Sequence, residues 1–291
     1  MQENNHKEIL SKQKDQEISE LAEFIAKEYS ATDYIFPETI AEANQITFSY
    51  GNYGDAFDGM LEHKCSKFHI YCNINRINRI DSPRARFTFC HELGHYYIDE
   101  HRQSLESGRT PAHPSRCEYE SRNIVEREAD YFASNLLMPT KRFLLFAKQV
   151  KVGFKGIHKI AENFGVSITS AAIRYCSSNI APCAIVKWNI DGYAWKWLST
   201  KTYKAQYRKT IELQNNLPRD SPTARALRGE NPPEKGFFEA GTTASSWFPY
   251  IKPSSHKNII FIEQAISLGR FGVLTFLYPE SGNYDFEYDV L

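Results

Sequence analysis

One short motif constrains this chain more than any other feature: His91, Glu92 and His95 form the pattern His-Glu-x-x-His. On an α-helix, residues i and i+4 lie on the same face, so two imidazoles at this spacing can bind one metal ion. Glu92 can then reach a water molecule on that ion and act as a general base, the pattern typical of zinc peptidases. Because the motif fixes only three residues, the surrounding sequence must supply a helix and a third ligand.

The residues before the motif predict the helix. Ser82 is a good N-cap, Pro83 suits the first helical position, and Asp81 places favourable negative charge at the helix start. Apolar residues then recur at helical spacing as far as Tyr97. Gly94 costs about 1 kcal/mol relative to alanine in a helix. We therefore expect another element to pack closely at that turn.

Two residues are candidates for the third ligand. His101 follows His95 at the spacing of the metzincin pattern His-Glu-x-x-His-x-x-Gly-x-x-His, but Ile98 replaces the glycine that turns that chain back. We therefore expect His101 to point away from the metal on a polar helix end. Glu126 is favoured, because it lies in a second predicted helix that ends at Pro139.

The second helix also offers a partner for a ligand histidine. Asp130 is four residues after Glu126 and shares its face, so it can accept the outer N–H of a metal-bound imidazole. Glu128 is expected to face elsewhere. The predicted site has a catalytic base, Glu92, a hydrogen-bonding carboxylate, Asp130, and three Zn²⁺ ligands: His91, His95 and Glu126.

Two stretches carry a resemblance to a known family: Arg84-x-Arg86-Phe87-Thr88-x-x-His91-Glu92-Leu93-Gly94-His95-Tyr96, and Glu126-x-Glu128-Ala129-Asp130-x-Phe132-Ala133-x-x-Leu136-Leu137-Met138-Pro139. They resemble the ImmA/IrrE family of metallopeptidases. The resemblance implies a zincin-like domain that binds zinc. It also implies a protein substrate, a helix-turn-helix transcriptional repressor, whose cleavage switches on stress-response or mobile-element genes. The family often has asparagine where this chain has Asp130, and either side chain can accept the hydrogen bond.

Composition narrows the class of protein. Lysine plus arginine and aspartate plus glutamate number 35 each, so the zero net charge argues against broad electrostatic attachment to nucleic acid. The chain has no run of 18 apolar residues that would span a membrane, and its polar N-terminus does not read as a secretory signal. Six irregularly spaced cysteines do not suggest a disulfide framework. We therefore expect a cytoplasmic protein without a membrane partner.

The expected fold class is α+β, in three parts. Residues 1–148 form the zincin-like domain, with a small antiparallel sheet (46–50, 56–61 and 68–74) before the active helix. Residues 149–179 form a helix-turn-helix-like segment, and residues 180–291 form a smaller α/β domain that senses a signal or binds substrate. By the resemblance, a GAF-like sensory domain is one candidate. Its predicted elements are a hairpin (183–198), strands (258–262 and 272–277) and a helix (263–268).

The helix-turn-helix-like segment is not expected to bind DNA, because Arg174 is the only basic residue on its second helix. A pair of packing helices is the favoured interpretation. Seven basic residues against two acidic ones between Lys201 and Arg228 form either a solvated face or a docking surface for an acidic partner.

Three functions remain open at the level of sequence. The favoured one is a zinc endopeptidase that cleaves a regulatory protein, with His113 or Tyr71 as candidates to stabilise the oxyanion. The others are a non-enzymatic regulator with a structural metal and a general peptidase. Glu92 argues against a purely structural site, because such a site does not need it.

Overall fold

The computed structural model describes residues 2–77, 79–109, 112–115, 123–189, 191–199, 217–247 and 260–280. Within these residues the chain has a mixed α+β fold with two sheets. It divides into two compact units, residues 1–145 with 162–167 and residues 146–161 with 168–291. The proposed division into three functional parts at residues 148 and 179 stays a prediction. None of the described helices is long and apolar enough to cross a membrane.

The first part of the chain contains seven helices and four strands within its described residues. The helices are α1 (Gln2–Tyr29), α2 (Pro37–Ala43), α3 (Ile74–Ile77), α4 (Pro83–Tyr97), α5 (Asp99–Glu106), α6 (Ile124–Leu137) and α7 (Thr140–Ala147). The strands are β1 (Thr47–Gly51), β2 (Gly59–Lys64), β3 (Lys67–Asn73) and β4 (His113–Ser115).

The four strands form one sheet in the order β1-β3-β2-β4. β2 is antiparallel to both β3 and β4, as the sequence suggests, but β1 is parallel to β3. The expectation of a wholly antiparallel sheet was therefore wrong. β1 pairs with β3, not with the next strand along the chain, and the alternation of apolar residues does not encode this choice of neighbour.

Helix α4 confirms the helix that was predicted to carry the His-Glu-x-x-His motif. The Ser82 hydroxyl accepts a hydrogen bond from the Ala85 amide at 3.0 Å, and Pro83 is the first helical residue. All residues from Thr88 to His95 are buried, so α4 runs through the interior of its unit. It ends at Tyr97, because Ile98 adopts an extended conformation.

Helix α6 packs against α4 at the glycine of the motif. A Cβ atom on Gly94 would lie 3.2 Å from Ala129 Cα and 3.2 Å from the Phe132 ring. This close approach confirms the expectation that another element packs at that turn. The Asn123 side chain caps α6 by accepting a hydrogen bond from the Val125 amide at 3.0 Å.

A buried arginine also anchors α4. The Arg86 guanidinium stacks on the Tyr34 ring at 3.8 Å and donates hydrogen bonds to the backbone carbonyls of Ile35, Phe164 and Gly165. Gly165 has a φ of +60°, and a Cβ atom there would collide with Arg86 and Tyr34. The start of α4 is thus tied to two distant stretches of backbone.

The second unit is built on an antiparallel sheet. Its strands are β5 (Ala184–Asn189), β6 (Gly192–Leu198), β7 (Phe238–Thr243), β8 (Ile260–Ser267) and β9 (Val273–Pro279), in the order β6-β5-β9-β8-β7. The other elements are α8 (Phe154–Phe164), α9 (Ile168–Ser177), α10 (Pro222–Leu227), α11 (Ala244–Trp247) and a 3₁₀ turn (Gly269–Phe271). All pairings among these described strands are antiparallel, which makes this unit α+β and corrects the expected α/β arrangement.

The predicted hairpin is confirmed as β5 and β6, but the predicted helix at 263–268 was wrong, because those residues lie largely in β8. This stretch contains the polar residues Glu263 and Gln264. In the structure both are buried and satisfied: Glu263 accepts from the Thr223 amide at 2.9 Å, and Gln264 accepts from the Phe154 amide at 2.6 Å. Internal hydrogen bonds therefore let a polar stretch form a central strand.

Helix α9 uses much of its surface for packing inside the second unit. Ala171, Ala172, Ile173, Tyr175 and Cys176 are buried. The Tyr175 ring lies 6.2 Å from the ring of Phe276 in β9. This agrees with a packing role, while the helix-turn-helix-like and GAF-like descriptions stay predictions. Four of the seven basic residues between Lys201 and Arg228 lie outside the described residues: Lys201, Lys204, Arg208 and Lys209.

Candidate metal centre

The structure brings three predicted ligands together inside the first unit. His91 and His95 come from α4 and Glu126 from α6, and all three are buried. The Nε2 atoms of the two histidines are 3.1 Å apart. Glu126 Oε2 is 3.3 Å from His91 Nε2, and Glu126 Oε1 is 3.5 Å from His95 Nε2.

These distances fit a small tetrahedral ion. Zinc binds histidine nitrogen and carboxylate oxygen at about 2.0–2.2 Å, so two ligand atoms of a tetrahedral site lie about 3.3–3.5 Å apart. The three measured separations are close to that value. Two imidazoles and one carboxylate are a common donor set for catalytic zinc and leave a fourth position open. The cluster can hold a metal ion, and the identity of that ion belongs to the proposal below.

Asp130 fixes the orientation of the His91 ring. Its Oδ1 is 2.7 Å from His91 Nδ1, on the side of the ring opposite the cluster. An ionised carboxylate only accepts hydrogen bonds, so Nδ1 donates to Asp130. When a metal ion displaces the proton on Nε2, the lone pair of that nitrogen faces the cluster. Burial acts to lower the pKa of His91, but hydrogen bonds with Asp130 and Glu126 outweigh it and raise the pKa to about 10.

Glu126 remains ionised between the two histidines. Burial acts to raise its pKa, but hydrogen bonds from His91 and His95 hold that pKa well below the usual range. The cluster therefore combines a buried negative charge with two imidazoles whose nitrogens converge. A divalent cation would satisfy the three groups together, and it would displace the protons that otherwise hold them.

Glu92 follows His91 on α4, and its side chain lies against β2 of the sheet. Its side chain is fully buried, and a Cβ atom on Gly59 in β2 would lie 2.6 Å from its Oε1. Burial raises the pKa of Glu92 to about 8, although His91, Ser115 and the Leu61 backbone act to lower it. A cation in the neighbouring cluster would lower this pKa and favour the ionised form that a general base needs.

The expectation that His101 points away from the metal on a polar helix end was wrong. It is buried, and its ring centroid is 5.2 Å from that of His95. Its Nε2 is 3.0 Å from Glu128 Oε2, so Glu128 also faces this region. Burial and the nearby His95 lower the pKa of His101. The expectation failed because Ile98 itself turns the chain between α4 and α5, without the glycine of the metzincin pattern.

The two oxyanion candidates fare differently. Tyr71 alternates along β3 with the buried residues Ile70 and Cys72, which face α4, so it lies on the opposite face of the sheet. It hydrogen-bonds Glu62 there, at 2.9 Å, and the structure removes it from the site. The His113 side chain lies outside the described residues, although its backbone forms part of β4.

Two residues beside Glu92, Gly59 and Ser115, were not predicted from the sequence. Gly59 pairs with Ser115 across β2 and β4. A glycine within a strand can mark a place where another group approaches closely, and that signal was available at Gly59. No local pattern indicates Ser115.

Comparison with known proteins supports the assignment of this region. Residues 76–175 match the peptidase family model described as "IrrE N-terminal-like domain". Among solved structures, a chain named "Mycobacterium tuberculosis transcriptional regulator" is similar, with a TM-score of 0.58 and 12% sequence identity over 90% of this chain and 76% of that chain. At this identity the similarity concerns the fold alone. None of the curated proteins matches.

Proposed function

We propose that the chain is a zinc-dependent endopeptidase that cleaves a regulatory protein. The match of residues 76–175 to the IrrE N-terminal-like domain confirms the resemblance to the ImmA/IrrE family and supports this proposal. The observation that carries the proposal is the buried cluster of His91, His95 and Glu126 with the Glu92 carboxylate on the same helix. A peptidase family and a preformed metal-binding cluster thus coincide in one region of the chain.

The proposed metal ligands are His91 Nε2, His95 Nε2 and Glu126. Three protein ligands suit a catalytic metal, because closed structural zinc sites normally have four. When bound, zinc supplies Lewis acidity, which polarises a carbonyl group and lowers the pKa of a water molecule to about 7.

The remaining chemistry belongs to the chain itself. Glu92 takes a proton from the attacking water on its carboxylate and delivers it to the departing amine. Burial of Glu92 removes competing solvent and strengthens its electrostatic interactions. Asp130 holds His91 in the tautomer that leaves Nε2 free for the metal.

We propose a helix-turn-helix transcriptional repressor as the substrate, and the ImmA/IrrE resemblance supports this choice. Among the described strands, β4 lies at one edge of its sheet. It includes Ser115, whose side chain interacts with Glu92. A segment of substrate in extended form could add to such an edge by backbone hydrogen bonds. An endopeptidase acting on an exposed or partly unfolded segment of a repressor fits this arrangement.

The test uses zinc-loaded protein, a peptide library made from a proteome digest and a panel of purified helix-turn-helix repressors, with cleavage read by mass spectrometry. Glu92→Gln should retain zinc and lose about 10²- to 10⁴-fold in cleavage rate, the usual contribution of general base catalysis. Glu106→Gln is the matched control, because Glu106 is an exposed carboxylate at the end of α5.

The outcomes separate the three functions. Cleavage of a repressor at one site supports the proposal. Rapid cleavage of unrelated peptides without preference indicates a general peptidase. If the zinc-loaded protein cleaves neither, the proposed enzyme is wrong, and a non-enzymatic metal-binding regulator becomes the better description. If Glu92→Gln cleaves at the wild-type rate, the proposed role of Glu92 as general base is wrong.

A further inference from the structure

A second histidine–carboxylate pair lies beside the metal cluster and has no role in the mechanism above. His101 is 6% exposed, although its neighbours Asp99, Glu100 and Gln103 on α5 are exposed. His101 and Leu105, four residues apart, form the buried face of the eight-residue helix α5. A polar imidazole on that face, unlike a leucine, needs hydrogen-bond partners.

Glu128 sets which ring nitrogen of His101 carries the proton. Its Oε2 lies 3.0 Å from His101 Nε2, and an ionised carboxylate only accepts hydrogen bonds. Nε2 is therefore the donor, and in the neutral ring Nδ1 is left as an acceptor. His101 Nδ1 is buried and forms no hydrogen bond within the part of the chain that the structure describes. Leaving a buried acceptor without a hydrogen-bond partner is unfavourable, so we expect a bound molecule to supply the donor.

The pair borders the metal centre without belonging to it. The His101 ring is tilted by 42° against the His95 ring, with centroids 5.2 Å apart. His101 is nevertheless outside the cluster of ligand atoms that lie within 4.8 Å of one another. Both members of the pair come from elements that also build the centre, since Glu128 follows Glu126 in α6 and α5 follows α4.

We propose that His101 is a substrate-contacting residue of this peptidase, in which Glu128 fixes the imidazole so that Nδ1 accepts a hydrogen bond from a backbone N–H of the bound peptide. The inference rests on the proposed peptidase function and adds a residue to it. A peptide backbone offers regularly spaced N–H donors, so one acceptor beside the metal would fix the register of the chain without selecting a side chain.

Two variants separate this role from simple packing. Glu128→Gln keeps the size of the side chain and a hydrogen bond to His101, but an amide can donate as well as accept, so the tautomer is no longer fixed. His101→Phe keeps a ring beside His95 and removes both nitrogens. Glu100→Gln is the matched control, because Glu100 is the neighbouring residue, with an exposed side chain that pairs with Lys14 at 2.8 Å.

Three measurements are made on each full-length protein. They are zinc content, cleavage of the proteome-derived peptide library and of the repressor panel at low substrate concentration, and histidine tautomers from long-range ¹H–¹⁵N spectra of [¹⁵N]histidine-labelled protein. The signal of His101 is identified by its loss in His101→Phe. In the wild type it should show the proton on Nε2, and in Glu128→Gln it should shift towards the other tautomer.

We expect both variants to retain zinc and to lose about 5- to 150-fold in cleavage rate, the usual effect of leaving a buried hydrogen-bonding group unmatched. Glu100→Gln should match the wild type. The inference is wrong if both variants cleave at the wild-type rate, if their activity falls only in proportion to lost zinc, or if Nδ1 carries the proton in the wild type. An inactive wild type would instead refute the peptidase function, and the inference with it.

Discussion

The contact between Gly59 and Glu92 gives a prediction that joins packing to chemistry. A methyl group on Gly59 would lie 2.6 Å from Thr88 Cγ2 and 2.6 Å from Glu92 Oε1. Carbon atoms make favourable contact at about 3.5–4.0 Å, so the overlap with Thr88 is about 1 Å. Thr88 is fully buried and β-branched, which leaves it few alternative rotamers. Glu92 and the backbone of β2 must therefore move.

Gly59→Ala should lower both stability and activity. Overpacking of this kind costs about 1–3 kcal/mol, which for a unit of this size corresponds to a fall in melting temperature of about 2–12 °C. A displacement of Glu92 by about 1 Å is expected to reduce the cleavage rate by about 10²-fold. Zinc content should not change, because the three atoms nearest to the added methyl group belong to Thr88 and Glu92 and not to the proposed ligands.

The assay combines thermal unfolding by circular dichroism, zinc content and cleavage of the peptide library. Gly241→Ala is the control, since a Cβ atom there would lie 3.4 Å from Ile260, an ordinary contact in an exposed part of β7. If Gly59→Ala matched the wild type in melting temperature and cleavage rate, the proposed placement of Glu92 against β2 would be refuted.

Two further predictions concern stability. Arg86→Lys should lower the free energy of unfolding, measured in urea, by about 2–4 kcal/mol, because one ammonium group cannot replace the hydrogen bonds to three backbone carbonyls and the stacking on Tyr34. The control is the exposed Arg79→Lys, which should change that free energy by less than about 0.5 kcal/mol. Equal effects of the two substitutions would contradict the anchoring role of Arg86. In the second unit, burial raises the pKa of Glu263 against the hydrogen bonds of Thr223 and Trp247. The folded state then binds this proton more tightly than the unfolded state, so the contribution of Glu263 to stability falls as pH rises above the unfolded pKa of about 4.3. The melting temperature of Glu263→Gln relative to the wild type should therefore rise between about pH 4 and pH 7. Unfolding can be measured by tryptophan fluorescence, because all four tryptophans lie between residues 188 and 247. A difference in melting temperature that does not vary with pH would contradict this prediction.

The predicted centre depended on features local to two helices. Ser82 and Pro83 indicated where α4 begins, and helical spacing placed the two histidines on one face. Glu126 and Asp130 followed the same logic on α6. These patterns involve residues within about one helical turn of each other, so they are readable without knowledge of the fold.

The features that the sequence did not reveal depend on contacts between distant residues. The buried His101 has its hydrogen-bond partner in Glu128, which lies 27 positions away. The polar residues of β8 are tolerated inside a sheet because Thr223 and Phe154 supply their partners. Neither contact has a local signature, since polar side chains resemble surface residues until their partners are known.

The most direct test of the metal centre is the zinc content of the purified wild type beside Glu126→Ala and Glu92→Gln. We expect one equivalent of zinc in the wild type and in Glu92→Gln, and a large loss in Glu126→Ala. Full zinc in Glu126→Ala, or a wild type that binds no zinc even when it is supplied, would contradict the metal centre on which the proposed function depends.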